Sequence, residues 1–398
     1  MKRLTLLLLG LAFGVSATAG AQGLTMQMSN GWSFTFAGNV NVFWVFTKEN
    51  TNAGDASNSN IRTGLLPAFA TFDAKGKEAG LNLGVHFGFA PQIQNPAGCH
   101  DNFPGVVCLP EPSTQAGAQI DMRQLYLTIG FKNGSQVLAG RELGLFGRQN
   151  ILQDMTLFGV GAVGIGNTQG GGTTLGRIGY GYIYPNFNAQ VTYSTKPGQS
   201  QFSVGLFQPS ILLGDAYQFT TIPRVEGEFT YNQKSGKNRY MVWVGGLWQT
   251  TKDAPTGGNS LSSFGGTAGV KADISDLSVV VSGYIGKGIG TVLMFSGNQV
   301  AADGTTGRPS DGGYVQLMYK LSPKTNVGAS WGFSRLKADE TGDGSSAVLV
   351  NWASYTVGVY HQWTKSLKLV FEGTREQNGN GGGAPAQLDL SGGWMLFF

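Results

Sequence analysis

The chain has 398 residues, of which 63 are glycine and 14 are proline, and 13% are charged, against about 25% in an ordinary soluble protein. This composition excludes a collagen-like chain, which needs more proline, and the 11% of aromatic residues opposes disorder. A formal net charge of +4 is too small for a chain of this length to predict a nucleic-acid partner.

Residues 1–21 have the pattern of a secretory signal peptide. Lys2 and Arg3 precede the apolar region Leu4–Val15, and Ala19-Gly20-Ala21 matches a cleavage site. A membrane anchor is the alternative, but this apolar region is shorter than the roughly 20 residues that a spanning helix needs. No later segment is long and apolar enough for such a helix either. We therefore predict an exported chain of residues 22–398 that is not a helical membrane protein.

Apolar side chains alternate with small or polar ones along the exported chain, which is the period of a β-strand. The apolar positions recur in 32–46, 81–89, 125–131, 178–184, 225–231, 315–321 and 388–398. The opposite positions hold mainly Gly, Ser, Thr, Asn and Gln. An apolar outer face and a small polar inner face predict an all-β, transmembrane antiparallel β-barrel with a water-filled interior, rather than a soluble sandwich.

The connections predict the number of strands. Short turns are expected near Gly76 and at Asn133-Gly134, Pro185-Asn186, Ser235-Gly236, Ser275-Asp276, Pro323-Lys324 and Lys365; long loops are expected at 47–62, 92–118, 143–174, 209–221, 252–261, 288–311, 338–349 and 377–385. Seven turns and eight loops make 16 strands. Lys196-Pro197-Gly198 resembles a further turn, but counting it gives an odd number. We therefore take 187–208 as one interrupted strand, with 18 strands as the alternative.

Cys99 and Cys108 lie in a segment rich in proline and asparagine. In an oxidising compartment such a pair commonly forms a disulfide. A metal site with His100 is the alternative, but the spacing is not a zinc pattern and further ligands are missing. We predict a Cys99–Cys108 disulfide and no metal.

The long connection 143–174 contains many leucine, isoleucine, valine and phenylalanine residues. An apolar loop of this length needs a surface to pack on, either inside the barrel or at a subunit contact. Arg141, Arg148, Asp154 and Arg177 lie in or beside it. If the loop narrows the pore, these arginines favour anions, because a guanidinium stays charged and binds oxyanions in bidentate fashion. The alternative is that they only pin the loop through ion pairs.

Further charged residues are predicted to face the lumen by their parity. Glu226 and Glu228 share one strand, and Lys368 and Glu372 share another. These four residues either give the pore oppositely charged walls or are merely solvated.

Enzymatic motifs are weak. Gly159–Gly164 matches GxGxxG, but chance explains the match in a chain this rich in glycine, and no βα unit precedes it. His86, His100 and His361 have no metal-ligand spacing, and no GxSxG sequence is present. We predict no enzyme and no cofactor.

The chain resembles the Gram-negative outer-membrane porins over its mature length. The resemblance rests on Gly31-Trp32-Ser33-Phe34, on Gly140–Arg148 followed by Leu175–Tyr180, and on the terminal Phe398. The middle segments are similar to those in which dicarboxylate-type porins carry constriction arginines, although the coiled-coil stalk of some members is missing. The resemblance implies a 16-stranded homotrimer in outer-membrane lipid and lipopolysaccharide, with Phe398 as the assembly signal.

These observations predict one barrel domain with an inward-folding loop at about 143–174, which passes small hydrophilic solutes and ions by diffusion. We expect a preference for anions or carboxylates, set by Arg141, Arg148, Arg177 and Asp154. A structural or adhesive surface barrel with a plugged lumen is one alternative. An outer-membrane hydrolase is another.

Overall fold

A computed structural model describes residues 23–51, 54–94, 120–165, 172–210, 219–254, 256–295, 298–379 and 385–398. The strands are β1 (Leu24–Gln27), β2 (Ser33–Thr51), β3 (Gly54–Arg62), β4 (Phe69–Glu78), β5 (Leu81–Pro91), β6 (Ile120–Gly130), β7 (Gln136–Leu143), β8 (Phe187–Ser194), β9 (Ser200–Phe207), β10 (Arg224–Ser235), β11 (Asn238–Lys252), β12 (Ser260–Ile274), β13 (Leu277–Lys287), β14 (Pro309–Ser322), β15 (Thr325–Lys337), β16 (Val348–Gln362), β17 (Leu367–Gly379) and β18 (Ala386–Phe397). One helix, α1 (Arg148–Leu152), and a 3₁₀ turn, Met155–Phe158, lie between β7 and β8. Among the described residues, no helix is long and apolar enough to span a membrane.

The barrel is closed by a ring of 16 strands, as predicted. The other two strands add no position to the ring. Strands β3 and β4 lie end to end along β2, because β3 pairs with residues 43–51 and β4 with residues 33–39. The short β1 likewise pairs with residues 33–36 of β2, beyond the end of β18. All neighbouring strands are antiparallel, which satisfies the backbone groups without an open edge.

The chain ends close the ring. Strand β18 pairs with residues 39–50 of β2. The terminal Phe398 continues this ladder, because its N–H donates to the carbonyl of Gly38 and the Gly38 N–H donates to the Phe398 carbonyl, both at 3.0 Å. Its ring lies 5.1 Å from the ring of Phe36. The residue predicted as an assembly signal therefore lies at the closing seam.

Three local predictions were wrong. Residues 195–199 form a true turn between β8 and β9, so 187–208 are two strands rather than one. The tyrosine-rich segment 177–184 is not a barrel strand but the end of the long connection, and Pro185-Asn186 is therefore not a strand-to-strand turn. The two errors cancel in the strand count. Most of 47–62 is not loop either, because β2 and β3 pair through it.

Two long loops are joined on the side opposite the short turns. Asp343, in the loop after β15, accepts hydrogen bonds from Arg308 Nε and Nη2 at 2.9 and 2.7 Å and from the Ala302 N–H at 2.8 Å. The hydrogen bond from Arg308 holds the pKa of Asp343 well below its ordinary range. The clamp therefore stays charged above the ordinary carboxyl pKa and is lost only as the pH falls through the lowered value.

The revised turn gives a topological prediction. Short turns of transmembrane barrels face the periplasm and long loops face outward. In a Cys99→Ser, Cys108→Ser background, we expect an impermeant maleimide to label Glu340→Cys on intact cells. Lys196→Cys should react only after the outer membrane is permeabilised. Labelling of Lys196→Cys on intact cells would contradict the assignment of 195–199 as a periplasmic turn.

Candidate functional site

We refer to the connection between β7 and β8, residues 144–186, as loop 3, and its described parts, residues 144–165 and 172–186, lie inside the barrel. Its apolar side chains pack with apolar side chains that the wall points inward. The loop contributes Ile151, Met155, Leu157, Val160, Val163, Ile178 and Tyr182, and the wall contributes Phe43, Val45, Trp243, Val280, Tyr314, Tyr360, Val370 and Met395. The prediction of a mainly small and polar inner face did not include these large apolar side chains, which the wall directs at the loop.

Glu226 holds the beginning of loop 3. Its Oε2 accepts the backbone N–H groups of Leu145 and Phe146 at 2.7 and 2.9 Å. Its Oε1 accepts Arg224 Nε at 2.8 Å. The carboxylate is fully buried and has lost its hydrating water. These hydrogen-bond donors compensate for that loss.

Two carboxylates of β17 hold the glycine-rich middle of the loop. Oε2 of Glu372 accepts the N–H groups of Val160 and Gly161, both at 2.7 Å. Oε1 of Glu376 accepts those of Val163 and Gly164 at 2.6 and 3.0 Å. The remaining oxygens accept hydroxyl groups of Tyr360 and Tyr180. Consecutive backbone N–H groups that converge on one anion form a nest.

This contact explains the GxGxxG sequence of residues 159–164. A Cβ on Gly159 would lie 2.1 Å from Glu372 Oε1. Gly161 and Gly164 have φ values of +57° and +95°, which other residues rarely adopt. The glycines are therefore needed to bring the backbone onto wall carboxylates rather than onto a phosphate.

Two of the predicted selectivity arginines are bound to the wall. Arg148 donates to both carboxylate oxygens of Glu228, with Nε at 3.3 Å from Oε2. Arg177 is 0% exposed, and its guanidinium donates to the Ser330 hydroxyl from Nε at 2.8 Å and to the carbonyls of Ser330 and Ser354 at 2.7 and 3.2 Å. These contacts favour the pinning alternative for both residues.

Asp154, also predicted at the constriction, is buried within loop 3. It begins the 3₁₀ turn by accepting hydrogen bonds from the Thr156 N–H at 2.9 Å and hydroxyl at 2.7 Å. The Tyr182 hydroxyl donates to it at 2.8 Å. This side chain therefore stabilises the fold of the loop.

The remaining predicted charges also contact other groups. Lys368 points inward with its Nζ 4.1 Å from the ring centre of Phe158, within range of a cation–π contact. The four predicted lumen charges thus all lie on the inner wall, and all four contact loop 3.

Loop 3 borders a cavity of about 610 Å³ inside the barrel, which we call the central cavity. Its lining is largely apolar and contains three charged residues, Asp121, Arg123 and Arg141. Arg141, a predicted site residue, is exposed and has no ion-pair or side-chain hydrogen-bond partner among the described residues. The sum of these charges is positive, since two cations face one anion.

Arg123 was not predicted. Gly88 of β5 pairs with Gln124 and Phe89 pairs with Met122, so Arg123 is the extra residue of a β-bulge, which re-aims a side chain. It donates to the Tyr184 hydroxyl at 3.3 Å and to Asp121 at 2.8 Å. Strict alternation cannot find such a residue, because a bulge breaks the period.

Sequence reasoning missed two other loop contacts. Glu376 follows Glu372 by four residues on the same strand face, so parity was a usable signal. Arg62 is fully buried and donates to the carbonyls of Gly172 and Thr173 at 3.0 and 3.3 Å. It was overlooked because it fell within the predicted loop 47–62.

The two histidines in the described part of the chain, His86 and His361, have different partners. His86 lies 3.1 Å from Asp73 and 3.4 Å from Gln124, and His361 lies 2.9 Å from the Thr325 hydroxyl. Residues 1–21, Cys99, His100 and Cys108 lie outside the described residues, so the signal peptide and the disulfide stay predictions.

The family model of Gram-negative porins matches residues 5–381. The chain belongs to the Gram-negative porins. It therefore forms a multi-pass β-barrel channel of the outer membrane. No curated protein sequence matches it.

Solved structures share the fold at low sequence identity. The outer-membrane channel DcaP of Acinetobacter baumannii aligns with a TM-score of 0.64 and 15% identity, over 94% of this chain and 99% of that one. OmpF of Salmonella typhi, solved with daunomycin, gives 0.57 and 10%, over 94% and 100%. The trimer form of OmpT from Vibrio cholerae gives 0.51 and 13%, over 92% and 100%.

The wall carboxylates give a prediction about this porin. Glu372→Gln removes the charge that holds Val160 and Gly161, and charge-assisted hydrogen bonds contribute about 1.5–3 kcal/mol each. We expect a free energy of unfolding lower by about 2 kcal/mol and a noisier single-channel current as loop 3 loosens. Heat-dependent electrophoretic mobility and bilayer recordings measure the two effects. Glu340→Gln, in an exposed loop, is the matched control, and equal behaviour of both variants would contradict the role of Glu372.

Proposed function

We propose that this porin is a passive, non-enzymatic diffusion channel for small hydrophilic solutes and ions, with a preference for anions that include carboxylates. The observation that carries the preference is the pair of arginines at the central cavity. Arg123 and Arg141 face one carboxylate, Asp121, in a lining that is otherwise uncharged. A local excess of positive charge in a narrow, low-dielectric space raises the concentration of anions there.

The proposed preference differs in its residues from the sequence-based hypothesis. Arg148 and Arg177 donate hydrogen bonds to wall groups. Asp154 does not line the central cavity, and its oxygens accept hydrogen bonds within loop 3. Arg141 keeps its predicted role, and Arg123 joins it. The other buried charges hold the loop that limits the width of the path.

We propose that the porin works as a homotrimer surrounded by outer-membrane lipid and lipopolysaccharide. The trimer form of Vibrio cholerae OmpT has the same fold, which supports this assembly. We also propose that the chain belongs to the dicarboxylate-type subgroup of porins and that Phe398 is the assembly signal. The position of Phe398 at the barrel seam supports this role.

Bilayer recording under a salt gradient tests the selectivity. We expect a reversal potential on the anion side for the unmodified porin. In Arg123→Gln, Arg141→Gln the permeability ratio of chloride to potassium should fall by at least about fivefold, since each of the two unit charges removed contributes about 1 kcal/mol at about 4 Å in water. Current that closes in three equal steps would support the trimer.

Arg375→Gln is the matched control, because Arg375 has the outward parity of the exposed Phe371. An unchanged reversal potential in the double variant would overturn the anion preference. Folded protein without any conductance would overturn the diffusion channel and support the alternative of a plugged structural barrel.

A further inference from the structure

A second cavity lies on the periplasmic side of loop 3, and we call it the periplasmic cavity. Its volume is about 570 Å³. The ends of β10, β11 and β12 line it together with the turn after β8 and Gln153 of loop 3. It is therefore built from the barrel wall, one short turn and the loop.

Three cations and one carboxylate line this cavity: Lys234, Arg239, Lys271 and Asp273. Lys234 and Arg239 are direct partners in the register of β10 and β11. Like charges directly opposite each other destabilise a sheet. This arrangement needs a compensating anion, either from the solvent or from a ligand.

Among the described residues that line this cavity, the one carboxylate, Asp273, leaves an excess of positive charge. Among the described residues, none of the three cations forms an ion pair. Asp273 is the register partner of Arg239 on β12, yet it lies beyond ion-pair distance. Lys271 donates instead to the side-chain oxygen of Gln153 at 3.2 Å. The positive charge is therefore available to a ligand, and the amides beside it add hydrogen-bond donors.

Helix α1 separates the two cavities. Ile151 and Leu152 line the central cavity, whereas Gln153, the next residue, lines the periplasmic one. The two positively charged spaces thus lie on opposite sides of the same short segment. The Lys234, Arg239 and Lys271 cluster therefore lies on the far side of loop 3 from the central cavity.

We propose that the periplasmic cavity is a second binding site in series with the central cavity and that it binds small anions with two or more oxyanion groups. This inference rests on the proposed channel function. Three cations match such an anion better than they match chloride, because each oxyanion group can contact a different cation. Polycarboxylates and phosphate esters share this chemistry.

Citrate is the probe for the test. We expect citrate added to one chamber only, the one that faces the periplasmic mouth, to block the chloride current of single channels. In Lys234→Gln, Arg239→Gln the half-blocking concentration should rise about tenfold, since two unit charges are removed from the cavity. Both side chains are exposed, so the variant should keep the heat-modifiable mobility of the folded barrel.

Lys365→Gln is the control, because Lys365 is an exposed lysine of the turn between β16 and β17 and does not line the cavity. A phosphate ester, glucose 6-phosphate, should block from the same chamber if the site reads oxyanions in general. Conducting channels that citrate does not block, or that it blocks equally in the double variant, would overturn the site and leave the channel proposal intact. If the protein does not conduct, the channel proposal fails, but calorimetric titration of the folded protein with citrate still tests the site. Citrate binding that is weaker in the double variant would support the site, and an absence of citrate binding would overturn it.

Discussion

The structure depends on one repeated interaction, in which a wall carboxylate accepts two consecutive backbone N–H groups of loop 3. Glu226, Glu372 and Glu376 each use one oxygen for such a pair, and the other oxygen takes Arg224, Tyr360 or Tyr180. Burying a carboxylate without partners is strongly unfavourable. Each of these carboxylates is therefore stable only with the loop in place, and the paired N–H groups of the loop need the carboxylates as acceptors.

This mutual requirement explains the composition of the loop and the wall. The backbone of residues 159–164 can reach Glu372 and Glu376 because glycine permits close approach and positive φ there. The apolar side chains between the anchors pack on Phe43, Trp243 and Val370 of the wall. Apolar packing supplies the contact area and the carboxylates fix the position, since burial of apolar surface has no direction of its own. The result is a loop whose described part lies between the central cavity and the periplasmic cavity.

The charges of this porin fall into two groups. One group, which includes Arg148, Arg177 and Glu228, is paired with wall or loop atoms away from the cavities. The other group consists of cations that face the cavities without an ion-pair partner among the described residues, such as Arg141 at the end of β7 and Arg239 at the start of β11. A charge held in hydrogen bonds contributes to the rigidity of the loop, whereas a charge that faces open space acts on passing ions. Residue type and proximity to the loop do not distinguish the groups.

The sequence by itself determined the barrel, because the period of two, the small inner residues and the alternation of turns and loops depend on local chemistry along each strand. It also determined which glutamates face inward, since parity is fixed by the pleat. Only the tertiary structure decided that Arg148 and Arg177 bind wall groups, that Arg123 enters the central cavity and that 177–184 leaves the wall although its tyrosines alternate. These outcomes depend on which residues of distant strands lie opposite loop 3, and on a bulge that shifts one side chain out of register. A one-dimensional pattern contains neither the facing partner nor the break in register.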